Sequence, residues 1–352
     1  MDPRARAVTF GEIMLRLSTP GALRFVQASS FDATYGGGEA NVAASLAGFG
    51  VPASFVTRLP ANEIGEACLA HLRKFGVEVS HVARGGDRLG IYFLETGAAQ
   101  RGSQVVYDRS GSAFATLKPG LIPWGEVFRG ASWFHWTGIS PAVSEGAAET
   151  LAEGIAAARA AGVTVSCDLN YRGKLWKWGK SAGQVMAELV AGADIAIGNE
   201  EDAEKVFGIR APRSDVAQGK IDAEGYREVA RELARRFAGL RRIGFTLRKS
   251  LGASHNLWSG GLYSPREDEF IVAREHSILP VVDRVGGGDA FSAGLIYGLL
   301  RHGEEAEGRR RALEFATAAS CLKHSIPGDF NLATVAEVEA LARGEASGRI
   351  AR

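Results

Sequence analysis

Asp283-Arg284-Val285-Gly286-Gly287-Gly288-Asp289-Ala290-Phe291-Ser292-Ala293-Gly294 runs three glycines into an aspartate, and an apolar helical pattern begins at once. Glycine leaves no side chain between the backbone and a ligand and tolerates backbone angles that other residues avoid. The first turn of a helix offers unpaired N–H groups and the positive end of its dipole. Together they form a cradle for an anion such as a phosphoryl group in transfer. Asp289 stands inside that cradle, where a base would take a proton from an attacking hydroxyl. The same residues, taken alone, also read as a glycine turn that caps a buried helix.

A second glycine-to-helix junction decides between these readings. Residues 36–50 are Gly-Gly-Gly-Glu-Ala-Asn-Val-Ala-Ala-Ser-Leu-Ala-Gly-Phe-Gly. Gly37 and Gly38 admit a ligand close to the backbone, and Asn41 offers both a donor and an acceptor to a hydroxyl. On its own this segment is equally a capped helix with Asn41 bonded locally. Neither segment completes Gly-x-Gly-x-x-Gly, because position 41 is Asn and position 291 is Phe. That spacing speaks against a nicotinamide dehydrogenase.

Between the two junctions the chain alternates strand and helix. A first strand is expected over 8–17, a helix over 39–49 and another over 64–75. From 79 to 115 short β-prone runs are separated by Gly, Arg and Asp. With residues 16–35 they are expected to form a small β lid carrying Tyr92, Tyr107 and Arg109. Beyond Gly130, apolar strand cores at 131–136, 163–168, 193–198 and 242–247 alternate with helices, as in a parallel sheet covered on both faces. Residues 255–263 and 269–273 read as an antiparallel pair, 209–222 as a polar surface insertion, and the tail 343–352 as flexible. One domain is expected over 1–342.

Two segments follow directly on buried strands, where doubly wound sheets bind their ligands. Asp168-Leu169-Asn170-Tyr171-Arg172 places a guanidinium there, suited to a carboxylate or phosphate. Asn199-Glu200-Glu201-Asp202 places oxygens able to hold Mg²⁺ through water. The latter also reads as an N-cap with acidic residues in the first turn.

The bulk of the sequence narrows the function classes. Its 352 residues are 46% hydrophobic with a formal net charge of +1, so neither a nucleic-acid nor a membrane-surface protein is indicated. Cys68, Cys167 and Cys321 are widely spaced and follow no metal-ligand pattern, as expected of buried thiols in the cytoplasm. The first nine residues lack an apolar signal core.

The pair Gly-Gly-x-x-x-Asn and Asp-x-x-Gly-x-Gly-Asp resembles the signature of the PfkB (ribokinase-like) carbohydrate kinases, and the resemblance covers nearly the whole chain. Residues 168–176, Asp-Leu-Asn-Tyr-Arg-Gly-Lys-Leu-Trp, are similar to a segment of the 2-keto-3-deoxygluconate kinases, much of which fructokinases share. Tyr107-x-Arg109 and residues 324–331, His-Ser-Ile-Pro-Gly-Asp-Phe-Asn, resemble the same group.

The resemblance implies an α/β/α sandwich with a central, mostly parallel sheet and a β lid. It also implies ATP and Mg²⁺, and phosphorylation of the terminal hydroxyl of 2-keto-3-deoxygluconate, or of fructose as the alternative. Asp289 would be the base, and the N–H groups of Gly286, Gly287, Gly288 and Asp289 the anion hole. Gly37, Gly38, Asn41 and Asp329 would bind the sugar, and Tyr92, Tyr107, Arg109 and Arg172 its keto-acid end. Asn170, Arg172, Asn199, Arg248, Gly252, Gly286 and Gly288 would meet the nucleotide, with Asn199 and Asp202 holding the metal through water. Exposed lid edges would pair two copies of the chain.

Three departures stand out. Arg284 replaces a Thr, and Gly287 an Ala, in the commoner loop Asp-Thr-x-Gly-Ala-Gly-Asp. The usual Lys-x-Gly-x-x-Gly is replaced by Leu-Arg-Lys-Ser-Leu-Gly-Ala-Ser at 247–254. Asp202 stands where a Glu is usual. A non-catalytic sugar-binding regulator on the same scaffold would not need Asp289 or its glycine turn.

Overall fold

The computed structural model describes residues 5–210 and 223–345. Most of the expected insertion (211–222) and the end of the tail (346–352) lie outside the described residues.

β1 (Ala7–Phe10) is wholly buried and opens a large sheet, whereas β2 (Met14–Ser18) belongs to a small one. The single strand expected over 8–17 is therefore two. Alternation reports the pleat and not the sheet to which a strand belongs. The break falls at Glu12, whose buried carboxylate accepts from Arg109 and Ser112.

The chain continues through β3 (Asp32–Gly36), β4 (Ala53–Val56) and the short strands β5 (Arg58–Leu59) and β6 (Ala83–Arg84). It then adds β7 (Gly90–Glu95), β8 (Gln104–Asp108), β9 (Trp133–Thr137), β10 (Thr164–Asp168) and β11 (Ile195–Gly198). Last come β12 (Arg242–Gly252), β13 (His255–Ser264), β14 (Glu269–Val272) and β15 (His276–Ile278).

The large sheet has the order β14-β13-β12-β11-β10-β9-β1-β4, with β15 also on β13. From β4 to β12 neighbours are parallel, and β13 is antiparallel to β12, β14 and β15. β1 has β4 on one side and the later strand β9 on the other, so the order reverses there. A crevice opens beyond the carboxyl ends of strands at such a reversal.

The small sheet runs β3-β2-β7-β8. Residues 83–84, within the expected lid, pair instead with 58–59. β8 is exposed along its whole length, with Val105 and Val106 facing solvent.

Helices cover both faces of the large sheet. On one, the helices Gly38–Gly48, Gly287–His302 and Ala306–Lys323 bury Leu46, Phe291, Leu295 and Phe315. On the other, Glu145–Ala160, Ala182–Val190 and Ala223–Arg236 bury Leu151, Leu189, Tyr226 and Leu233. Full burial of each such side chain stabilises the fold by about 1.5–3 kcal/mol, which fixes the strand ends that build the site. Among the described residues, no helix is long and apolar enough to cross a membrane.

Candidate active site

A cleft of about 950 Å³ lies between the strand ends of the large sheet and the small sheet. Both glycine-to-helix junctions line it. Gly286 is the N-cap of the helix Gly287–His302 and has a φ of 83°, in the left-handed region. A Cβ there would also overlap the Asp329 carbonyl oxygen, so only glycine serves. The first-turn N–H groups of this helix have no intrahelical acceptor; that of Gly287 makes a long bond to the Arg284 carbonyl at 3.4 Å, and Gly286, Gly287, Gly288 and Asp289 all line the cleft.

Asp289 and Asn41 lie 248 residues apart in sequence, and the Asn41 Nδ2 donates to the Asp289 Oδ2 at 2.6 Å. The Asn41 Oδ1 accepts from the Gly37 N–H at 3.2 Å, which fixes the orientation of its amide. Burial pushes the Asp289 carboxyl up to about 6, with Asp329 adding to the rise. The Asn41 bond, Arg172 and Lys323 pull the other way. A carboxylate with that affinity for protons can accept one near neutral pH.

Behind the turn lies a charged junction. Arg16, on β2, is buried and pairs with Asp283 at 2.6 Å and Asp329 at 2.8 Å. The Tyr92 hydroxyl donates to Asp329 at 2.7 Å. Asp283 accepts from the N–H groups of Val285 and Gly328, both at 3.0 Å. Lid strand, glycine turn and the loop 324–331 are thereby joined through two carboxylates. Beside them, the buried Glu39 accepts from the Thr137 N–H and hydroxyl and from Ser140. Burial pushes Glu39 up to about 7.

At the end of β10, burial and the nearby Asp202 and Asp289 carboxylates raise the pKa of Asp168 well above the usual carboxylate range. Asn170 has a φ of 36°, an uncommon angle that Asn tolerates better than most residues. It and Arg172 line the cleft. Beyond β11, Asn199 caps the next helix by accepting from the Asp202 N–H at 2.9 Å. The Asp202 carboxylate accepts from the N–H groups of Asn199 (3.1 Å) and Tyr171 (2.8 Å). The cap is thus present, and both residues still face the cleft. Asp202 has given part of its acceptor capacity to the backbone, so a cation there fits through water.

The remaining expected residues divide. Gly37, Gly38, Tyr92, Tyr107, Arg248 and Asp329 line the cleft. Two depart from expectation. Arg109 forms a buried ion pair with Glu12, beside the Tyr107 ring, and its guanidinium lies off the cleft wall. Gly252 sits at the end of β12 away from the wall, and its carbonyl and that of Ala253 accept from Arg284. Arg284 itself lines the cleft.

Arg16, Glu39 and Lys323 were missed in the sequence. The signal available for Glu39 was its place between Gly38 and Asn41; nothing local marks the other two. His324 lines the cleft, bonded through Nδ1 to the Ser320 carbonyl at 2.7 Å and packed on Trp258.

Similarity to known proteins agrees with this geometry. The sequence matches the pfkB family carbohydrate kinases over residues 4–331. It is 32% identical to a 2-dehydro-3-deoxygalactonokinase of Haloferax volcanii, over 98% of each chain. It is 31% identical to a 2-dehydro-3-deoxygluconokinase of Thermoproteus tenax, over 92% of this chain and 89% of the other. The crystal structure of a 2-dehydro-3-deoxygluconokinase from Thermotoga maritima superposes with a TM-score of 0.90 at 46% identity, covering 97% of this chain and 100% of that one. With both halves of its signature facing each other across one cleft, the chain belongs to the pfkB family of carbohydrate kinases.

Proposed function

We propose that this kinase transfers the γ-phosphoryl group of ATP to the terminal hydroxyl of 2-keto-3-deoxygluconate (2-dehydro-3-deoxygluconate). The observation that carries the reading is the 2.6 Å contact of Asn41 with Asp289. It brings an orienting amide, a base and a helix N-terminus to one point.

The hydroxyl oxygen attacks the γ-phosphorus as the bond from phosphorus to the ADP oxygen breaks. The hydroxyl proton passes to the Asp289 carboxylate, and ADP leaves with the bonding pair. Little covalent help is needed; alignment and charge stabilisation supply most of the rate. Asn41 orients Asp289, and the N–H groups of the turn hold the negative charge on the phosphoryl oxygens. Tyr107 closes from the lid and helps to exclude water. Arg172 pairs with the carboxylate of the sugar acid, and Arg248 with nucleotide phosphate.

The Asp168–Asp202 corner fits a hydrated Mg²⁺. Burial first, and then the neighbouring Asp202 and Asp289 carboxylates, raise the pKa of Asp168, and a cation would offset both. Bound there with ATP, the ion would neutralise phosphate charge.

Both lid edges, β3 and β8, are unpaired in the small sheet, and we propose that two copies associate through them. A sedimentation measurement that finds only monomer at micromolar concentration contradicts this.

The substrate is tested by ADP release from 2-keto-3-deoxygluconate, its galactonate epimer, fructose, ribose and adenosine. The reading expects turnover of a sugar acid and a lower kcat/KM for every neutral substrate. Preference for fructose would make the protein a fructokinase.

A further inference from the structure

Lys323 closes the helix Ala306–Lys323 and is fully buried, at 0% exposure. Lysine is almost never so placed unless its charge is compensated. Its side chain lies behind the glycine turn, and a Cβ on Gly286 would sit 3.2 Å from its Cε. The ammonium donates to the Ile326 carbonyl at 3.1 Å. Burial lowers the Lys323 pKa; Asp283, Asp329 and Asp289 oppose that and hold the ammonium charged, and Arg16 repels it. Arg16 is itself engaged by Asp283 and Asp329. Three carboxylates thus meet two cations, and Asp289 is the carboxylate outside the Arg16 ion pairs.

We propose that Lys323 is a positioning residue for phosphoryl transfer: a fixed positive charge behind the glycine turn that favours the carboxylate form of Asp289 and the negative charge gathering in front of the turn. Such a charge acts more strongly than one in water because Lys323 is buried, where screening is weaker. It also needs no reorganisation as the reaction proceeds. The other groups facing Asp289 are Asn41 from the helix Gly38–Gly48, Arg172 and Asp168 from the end of β10, and Asp329 from the loop 324–331. Of these only Arg172 is cationic, and it stands on the cleft side, where substrate competes for it. Lys323 is shielded from substrate.

A bond that merely ties Lys323 to Ile326 would fix the loop without influencing Asp289. Lys323→Gln separates the two roles, because it keeps an N–H donor and removes the charge. The inference rests on the kinase reading, so kcat is measured against pH with ATP and 2-keto-3-deoxygluconate, beside thermal melts. The expected result is a kcat about 10–100-fold lower near neutrality, with the acid limb moved to higher pH. Lys323→Arg should return the limb toward the wild-type position. An acid limb unmoved in Lys323→Gln, with any loss uniform across pH, overturns the inference. If Lys323→Gln does not fold, Lys323→Met gives the same readout. A wild-type enzyme inactive on every sugar acid would overturn the kinase reading and this inference with it. An active wild type with an unmoved limb overturns only the inference.

Discussion

Asp289 owes its chemistry to its surroundings. Burial raises its pKa to about 6, and Asn41, Arg172 and Lys323 limit the rise. A base must be unprotonated to act, so kcat should fall as pH drops below about 6 and level off above it. A pH–rate profile from 5 to 8 checks this, and a flat profile over that range contradicts it. Arg172 belongs to the same scale. It lines the cleft and lies close enough to favour the charged forms of Asp168 and Asp289. Arg172→Ala should raise KM for the sugar acid by at least about tenfold, the value of one charge-assisted pair. KM for a neutral sugar should change less. Equal losses on both would mean that this guanidinium does not read a carboxylate.

Among the elements, β2 does more than edge a small sheet. Through Arg16 it holds Asp283 and Asp329, and through them the turn and the loop 324–331. Exposed ion pairs contribute little, but these side chains are at most 9% exposed. Removing one partner leaves buried charge uncompensated. Arg16→Met should therefore destabilise the protein by about 3–5 kcal/mol. It should also raise KM for the sugar, because Asp329 loses its anchor. Urea denaturation and steady-state kinetics measure the two effects, and wild-type values in both would remove Arg16 from the account. The lid tip adds a lesser tie, as the Ala253 N–H of the β12–β13 turn donates to the Ala99 carbonyl at 2.8 Å.

For the molecule as a whole, much of the fold and part of the site were legible in the sequence. Asp289, Asn41 and the glycines stand in local patterns whose physics is local: a turn, a helix start, an open N–H group. The alternation beyond Gly130 likewise marks strands that are buried on both faces. The unread residues owe their positions to distant partners. Arg16 meets Asp329 across 313 residues, and on a short strand it reads as a solvent-facing charge. Lys323, at the end of a helix, reads as an ordinary C-terminal cation. Arg109 was expected at the substrate because it stands in the lid and Tyr107-x-Arg109 resembles the 2-keto-3-deoxygluconate kinases, yet Glu12 claims it. That contact arises where the first strand divides between two sheets, which periodicity does not reveal. In the proposed reaction Asp289, held by Asn41 before the glycine turn, removes the proton from the sugar hydroxyl. This step is tested most directly by single-turnover phosphorylation of 2-keto-3-deoxygluconate by Asp289→Asn, with ATP and sugar affinities measured separately. The expected rate is lower by about 10²–10⁴ with both affinities and the melting temperature retained; a rate near that of the wild type would mean that Asp289 is not the base.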